Sequence, residues 1–151
     1  MAIQAAREII IDASLEVILD ALADVRSVPL WSSVHKKAEV IDTYPDGRPH
    51  HVKVAVKVIG IADRELLEFH WGPDWLVWDA HKTSHQHGQH VEYTLRPEGE
   101  DKTRVRFAIT IEPSAPLPEF LLNRGREKVL KAATEGLRDF VMSRDRADGS
   151  K

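Results

Sequence analysis

From Lys37 to Ile111 apolar side chains recur at every second position, interrupted only by short turn segments. A period of two sets one row of side chains on one face of an extended strand and the other row on the opposite face. Val52, Val54, Val56 and Val58 share a face, with Lys53 and Lys57 opposite. Leu67, Phe69 and Trp71 alternate with Glu68 and His70, and Arg64 falls on the polar side. Leu76, Trp78 and Ala80 repeat the pattern, followed by Val91, Tyr93 and Leu95, then by Val105, Phe107, Ile109 and Ile111. Pro45-Asp46-Gly47, Gly72-Pro73-Asp74 and Pro97-Glu98-Gly99 supply turn chemistry, and Gly60 ends the valine strand. Successive strands joined by turns this short run antiparallel, with one face wet.

The flanks complete the pattern. Ala5 to Asp12, with Ile9-Ile10-Ile11, reads as a first strand. Ser14 caps a helix whose Leu15, Ile18, Leu19 and Leu22 fall at helical spacing, with Glu16 in the first turn; it ends near Asp24. A second short helix covers Val28 to Ser33 with Pro29 in its first turn, and Ala38 to Tyr44 is the next strand. After Pro113, Pro116 and Pro118 the pattern turns helical to about Met142, with Leu122, Val129, Ala133, Leu137 and Phe140 or Val141 as its apolar stripe. That stripe is thin. Gly125, Ala132, Ala133 and Gly136 stand where a packed helix would carry larger residues, and each interior glycine costs roughly 1 kcal/mol relative to Ala. Small residues there either let the helix approach the sheet or leave a void beneath it, and the sequence leaves both open. The expectation is one α+β domain over residues 1–151, with a curved antiparallel sheet of about seven strands and 144–151 as a polar tail.

A net charge of −3 argues against nucleic acid as a partner, because phosphate binding needs a concentrated basic surface. The absence of cysteine removes disulfides, thiolate metal sites and thiol nucleophiles, and suits a cytoplasmic protein. No stretch is long and apolar enough to span a bilayer, which leaves room for transient membrane contact only. The N-terminal segment lacks the apolar stretch of a secretory signal. A nucleophile-elbow serine, a phosphate-cradling glycine loop and a dinucleotide fingerprint are all missing, so no cofactor is expected.

Particular residues carry a family resemblance. The run Ala13 to Trp31, with Asp24, Pro29 and Trp31 marking the short second helix, resembles the opening of the START-related, birch-pollen-allergen-like superfamily (SRPBCC). Gly47-Arg48-Pro49, the lead Lys102-Thr103-Arg104-Val105 into the last strand, and Pro116-Leu117-Pro118 before the final helix look similar too. The chain looks most like small actinobacterial members described as polyketide cyclase/dehydrase or lipid-transport-like, over about residues 5–143. The resemblance implies a helix-grip fold, in which the sheet wraps around the long C-terminal helix and encloses a cavity for an apolar small molecule.

By alternation, the cavity wall on the sheet would be Val54, Val56, Leu67, Phe69, Trp71, Trp78, Tyr93, Phe107 and Ile109. Gly125, Arg126, Val129 and Ala133 would contribute from the helix. Tyr93 places one hydroxyl on that wall, Glu65 shares a face with Leu67, and Asn123 or Arg126 projects toward the open end. Trp31 reads chiefly as an anchor of the short helix. His85 and His87 share a strand face, but His90 has the opposite parity and no carboxylate sits at matching spacing, so His81 to His90 reads as a polar hairpin without metal. Glu8 with Asp12, and Asp20 with Asp24, read as exposed faces.

Three functions are compatible with this reading. The first is a carrier or sensor of a lipid, polyketide or other apolar compound, needing no catalytic residue. The second is an aromatase/cyclase or dehydratase drawing on Tyr93, Glu65, His35 and Arg126. The third is a protein-binding module on the outer face, where Lys53, Lys57, Arg64, Glu68, Arg104 and Arg106 mix charges.

Overall fold

A computed structural model describes the backbone of residues 2–149 and the side chains of residues 2–144. Strand β1 (Ile3–Ile11) is followed by helix α1 (Leu15–Ala23), a 3-10 turn at Val25–Ser27 and the single-turn helix α2 (Val28–Trp31). Six strands follow: β2 (His35–Thr43), β3 (Pro49–Val58), β4 (Ile61–Trp71), β5 (Trp75–Ala80), β6 (Gln86–Pro97) and β7 (Thr103–Pro113). The C-terminal helix comprises α3 (Glu119–Lys131), a wide π turn (Ala132–Gly136) and α4 (Leu137–Gly149).

The seven strands form one antiparallel sheet in the order β1-β7-β6-β5-β4-β3-β2. The chain leaves β1, crosses through α1 and α2 to the far edge at β2, then returns strand by strand until β7 pairs with β1. Ser14 caps α1 by accepting from the Val17 N–H at 3.3 Å. The β3–β4 hairpin turns on Ile59 (φ 48°) and Gly60 (φ 83°), a two-residue loop with both residues left-handed, as the strands' right-handed twist requires. Gly60 takes that conformation without strain, whereas Ile59 is β-branched and disfavoured there.

The inner face carries the core. Ile11, Leu76 and Val105 from the sheet, Ile18 from α1, and Leu137 and Val141 from α4 lose all contact with solvent. Arg7 projects from β1 to the helix, where its guanidinium meets Glu127 with the closer pair of atoms 2.7 Å apart. The outer face carries the polar row expected of it, and on it Arg104 donates to Glu98 at 2.6 Å and to Glu8 at 3.0 Å.

Several boundaries differ from the sequence reading. β1 and β2 begin earlier, at Ile3 and His35, and α2 stops at Trp31 rather than Ser33 because Ser32 is already extended. The final helix does not give way to a tail at residue 144: it continues to Gly149, while residues 150 and 151 of the expected tail lie outside the described residues. The π turn was not foreseen. Two side-chain hydroxyls donate to helix carbonyls in and just before it, Tyr93 to Ala133 O at 2.8 Å and Thr134 to Leu130 O at 2.7 Å. Donors of this kind compete with the helical ladder and widen it.

Candidate functional site

Beneath α3 the sheet's inner face does not meet the helix everywhere. A cavity of about 260 Å³ remains, walled mainly by aliphatic and aromatic side chains. An aromatic row crosses four strands: Phe69 stacks on Trp78 with centroids 5.0 Å apart, Trp78 lies 6.0 Å from Tyr93, and Tyr93 5.1 Å from Phe107. These rings meet because Phe69 is registered with Trp78 and Tyr93 with Phe107, the cross-strand pairing that aromatic side chains favour.

Val54, Val56, Leu67, Ile109, Arg126, Val129 and Ala133 line the same space. So does Gly125, whose Cα lies over the β3–β4 hairpin; a Cβ there would sit 3.5 Å from Val58 Cγ1. Trp71 does not reach the cavity. Its indole N–H donates to Pro49 O at 2.8 Å and the Arg48 guanidinium covers its ring at 5.0 Å, so it closes the core at the far end of β4. Alternation gives the face of a residue but not its depth along the strand. Gly136, which the sequence left as a cavity candidate or a close-approach site, is the latter: its Cα abuts the Trp31 carbonyl.

The polar groups are few, and Glu65, Gln86 and Ser32 among them are buried. Glu65 faces inward at 6 % exposure and accepts from Gln86 Nε2 at 3.1 Å. Burial, with a smaller push from Asp63, raises its carboxyl to about 7. His35 Nδ1 lies 2.7 Å from the Ser32 hydroxyl, and desolvation lowers its imidazole to about 4. Arg126 donates to Asn123 Oδ1 at 2.9 Å, so the exposed Asn123 steadies the guanidinium. Trp31 both stacks on Phe140, centroids 6.4 Å apart, and lines the cavity.

Tyr93 lines the cavity with its ring, while its hydroxyl donates to the Ala133 carbonyl and burial pushes the phenol well above its usual range. Tyr93→Phe is therefore expected to cost about 1–3 kcal/mol in urea unfolding, through the carbonyl it leaves unpaired, while the cavity keeps its shape.

Four buried side-chain polar atoms lack a partner among the described residues: Trp31 Nε1, Trp78 Nε1, Gln86 Oε1 and Arg126 Nε. All four belong to residues that line the cavity. Buried donors and acceptors are normally satisfied by protein or ordered water.

The histidines named from the sequence do not converge. His85 turns to Asp63 at 3.3 Å, His90 bridges Asp79 at 2.7 Å and Glu92 at 3.1 Å, and His81 and His87 are exposed. Asp20 and Asp24 serve separate partners, Arg48 and Arg144, and Glu8 and Asp12 likewise serve Arg104 and Lys102. Gln86 went unrecognised because a register shift between Gln86 and Gly88 reverses the parity at the start of β6.

A curved seven-stranded sheet gripping a C-terminal helix above an apolar hollow is the helix-grip arrangement of START-like proteins. The chain belongs to the polyketide cyclase / dehydrase and lipid transport family, whose family model matches residues 11–138. It is similar to a START superfamily protein from Mycobacterium smegmatis, at 19% identity and TM-score 0.83 over 93% of this chain and 97% of that one. It is also similar to the Zhui aromatase/cyclase from Streptomyces sp. R1128, at 14% identity and TM-score 0.84 over 99% of both chains. A protein from Thermus thermophilus superposes at TM-score 0.79 with 17% identity, over 93% of this chain and 98% of that one. A search of curated proteins finds no match. These identities bear on the fold. No helix among the described residues is long and apolar enough to cross a membrane.

Proposed function

We propose that the protein binds an apolar small molecule carrying several oxygen atoms, held between the sheet and α3 as cargo or signal. The observation behind this reading is the coincidence of an apolar hollow with every unpartnered buried side-chain polar atom among the described residues. Enclosing roughly 200 Å² of apolar ligand surface is worth about 5 kcal/mol before the cost of immobilisation. Trp31, Trp78 and Arg126 offer donors, and Gln86 offers an acceptor, so carbonyl and hydroxyl oxygens on the ligand would gain partners. A plain hydrocarbon chain would fill the volume and leave those groups unpaired, so ketone- and hydroxyl-bearing polycycles fit better than saturated fatty acids.

Native mass spectrometry of freshly purified protein tests the first part: a bound mass of a few hundred daltons is expected. Tryptophan fluorescence tests the second. A hydroxylated polycyclic aromatic should quench Trp78 and Trp31 at concentrations where a saturated fatty acid of similar volume does not. Val129→Trp, which fills the cavity from the helix, should weaken that quenching at least tenfold with the fold retained. An empty protein whose emission responds to neither probe would end the proposal.

A second reading, a cyclase or dehydratase, has Glu65 behind it. A buried carboxyl poised at about 7 beside an apolar hollow is suited to exchange protons near neutral pH. Turnover of a poly-ketone that stops on Glu65→Gln, with the polyketone still bound, would favour the enzyme over the carrier. On the charged outer face Arg104 is already engaged by Glu8 and Glu98, and no comparable hollow or buried polar group accompanies it.

A further inference from the structure

On the outer face of the sheet, away from the cavity, β2, β3 and β4 bring together three imidazoles and two carboxylates. A β-bulge makes this juxtaposition. Asp42 is registered with His51 and Thr43 with Pro49, which leaves His50 as the extra residue on β3. Adjacent residues of a regular strand point to opposite faces, but an extra residue cancels the alternation locally. His50 and His51 consequently lie side by side, with ring centroids 4.0 Å apart.

Both rings address the same two carboxylates. Asp42 Oδ1 is 2.9 Å from His51 Nδ1 and 3.7 Å from His50 Nδ1. Glu68 Oε1 is 3.4 Å from His51 Nε2 and 3.6 Å from His50 Nε2. The cluster is braced: the His51 backbone N–H donates to Asp42 Oδ1 at 2.9 Å, and the Tyr44 ring stacks on His50 at 4.3 Å. Tyr44 is itself tied down by its hydroxyl, which donates to Phe69 O at 2.7 Å. His70 stands at the margin, its Nε2 3.2 Å from Glu68 Oε2.

We propose that Asp42, His50 and His51 form a binding site for a divalent transition-metal ion of the Zn²⁺ type, with Glu68 orienting the two imidazoles from behind. One donor atom from each of the three lies within 4.8 Å of the others. Tetrahedral coordination with bonds of about 2.0–2.1 Å separates ligand atoms by about 3.3 Å. The observed spacings of 2.9 and 3.7 Å to the shared Asp42 oxygen bracket that value, so small rotations complete the site. Two imidazoles and a carboxylate suit zinc and its neighbours, whereas magnesium and calcium call for oxygen ligands. Ligation through Nδ1 leaves each Nε2–H facing Glu68, the carboxylate-behind-histidine arrangement that fixes ring orientation in metal sites. The fourth position opens to solvent and would hold water. Because Asp42 is on edge strand β2 and Glu68 on β4, the ion would pin the free edge of the sheet, independently of any cavity occupant.

The test uses the full chain, freed of metal by chelator and dialysis, and Zn²⁺ alone as probe. Calorimetric titration should give saturable binding of one ion per chain, with a rise in Tm. His50→Ala and His51→Ala should each weaken binding at least tenfold, Glu68→Gln by about tenfold, while His87→Ala leaves it unchanged. Co²⁺ in place of Zn²⁺ should show the strong visible absorption of a tetrahedral site in the unaltered protein. Should a substitution disturb the bulge, imidazole NMR signals of the unaltered protein decide the matter, since Zn²⁺ must shift those of His50 and His51 first. No binding at stoichiometric Zn²⁺, binding of full strength in the His50→Ala/His51→Ala double variant, or first shifts at other histidines would each overturn the proposal.

Discussion

Glu65→Gln and His35→Asn should change the pH dependence of stability in opposite senses, because in the unaltered chain the contributions of these two groups cancel between pH 4.5 and 6.5. The carboxyl of Glu65 is raised from 4.5 to about 7 in the fold. Its contribution is whole below pH 4.5 and is lost as pH rises through 7, because the folded protein must then ionise a buried acid. His35 is lowered from 6.5 to about 4. Its contribution is whole above pH 6.5 and is lost as pH falls through 4, because the unfolded chain takes up a proton that the fold refuses. Each shift amounts to about 3 kcal/mol across its window. Over the shared window the folded state holds one proton more at Glu65 and one fewer at His35, so the slopes cancel.

Glu65→Gln removes the falling limb, and stability should then climb by about 3 kcal/mol from pH 4 to 7. His35→Asn keeps an acceptor for the Ser32 hydroxyl and removes the rising limb, so stability should fall by a similar amount from pH 4.5 to 8. Urea unfolding free energies at unit pH intervals, taken relative to the parent, read both, and the double variant should run parallel to the parent between pH 4.5 and 6.5. Titrations outside the cavity, such as that of His90, whose pKa the Asp79 hydrogen bond raises, are common to all four proteins and drop out of the comparison. Single variants whose curves run parallel to the parent would show that neither group is perturbed as its burial implies.

The sheet was legible because its inner face is apolar and its outer face charged, and a period of two cannot be mistaken over six strands. Val54, Leu67, Phe69, Trp78 and Phe107 could be assigned to the inner face on that ground, and the family resemblance made that face a cavity wall. What alternation could not deliver lies where alternation fails. His50 and Gln86 sit at bulges, which reverse parity without any mark in the hydrophobic pattern, and a further shift separates His35 from Lys37. Trp71 shows the complementary limit, since it obeys parity but sits beyond the end of the hollow. The π turn depends on hydroxyls from Tyr93 and Thr134 reaching helix carbonyls, and the first of these is a tertiary contact between residues 40 positions apart. The thin stripe on the final helix did announce that something unusual lay beneath it. Whether that was a void or a close approach depended on where α2 would come to rest.

Gly125 and Gly136 of that helix answer the question in opposite senses, and alanine should separate them. At Gly136 a methyl would overlap the Trp31 carbonyl oxygen, a backbone atom that cannot rotate away. Either α2 or the π turn must shift, breaking the Trp31–Phe140 stack as it does so. Gly136→Ala should therefore lose about 2–3 kcal/mol, the range of overpacked cores, and Tm should fall by roughly 5–10 °C. Gly125 is the more buried of the two, but a methyl there would find Val58 Cγ1 at 3.5 Å and Ile59 Cδ1 at 3.7 Å, ordinary contact distances. Gly125→Ala should gain about 1 kcal/mol of helix propensity and raise Tm by roughly 2–4 °C. The gain at Gly125 would show that its lack of a side chain marks the rim of the hollow rather than a steric demand. The loss at Gly136 would show that the helix is held against α2 by direct backbone contact, which fixes Trp31 at the cavity wall. Equal losses at both positions would mean that α3 lies as close to the hairpin as the π turn does to α2, leaving no room for an occupant between them.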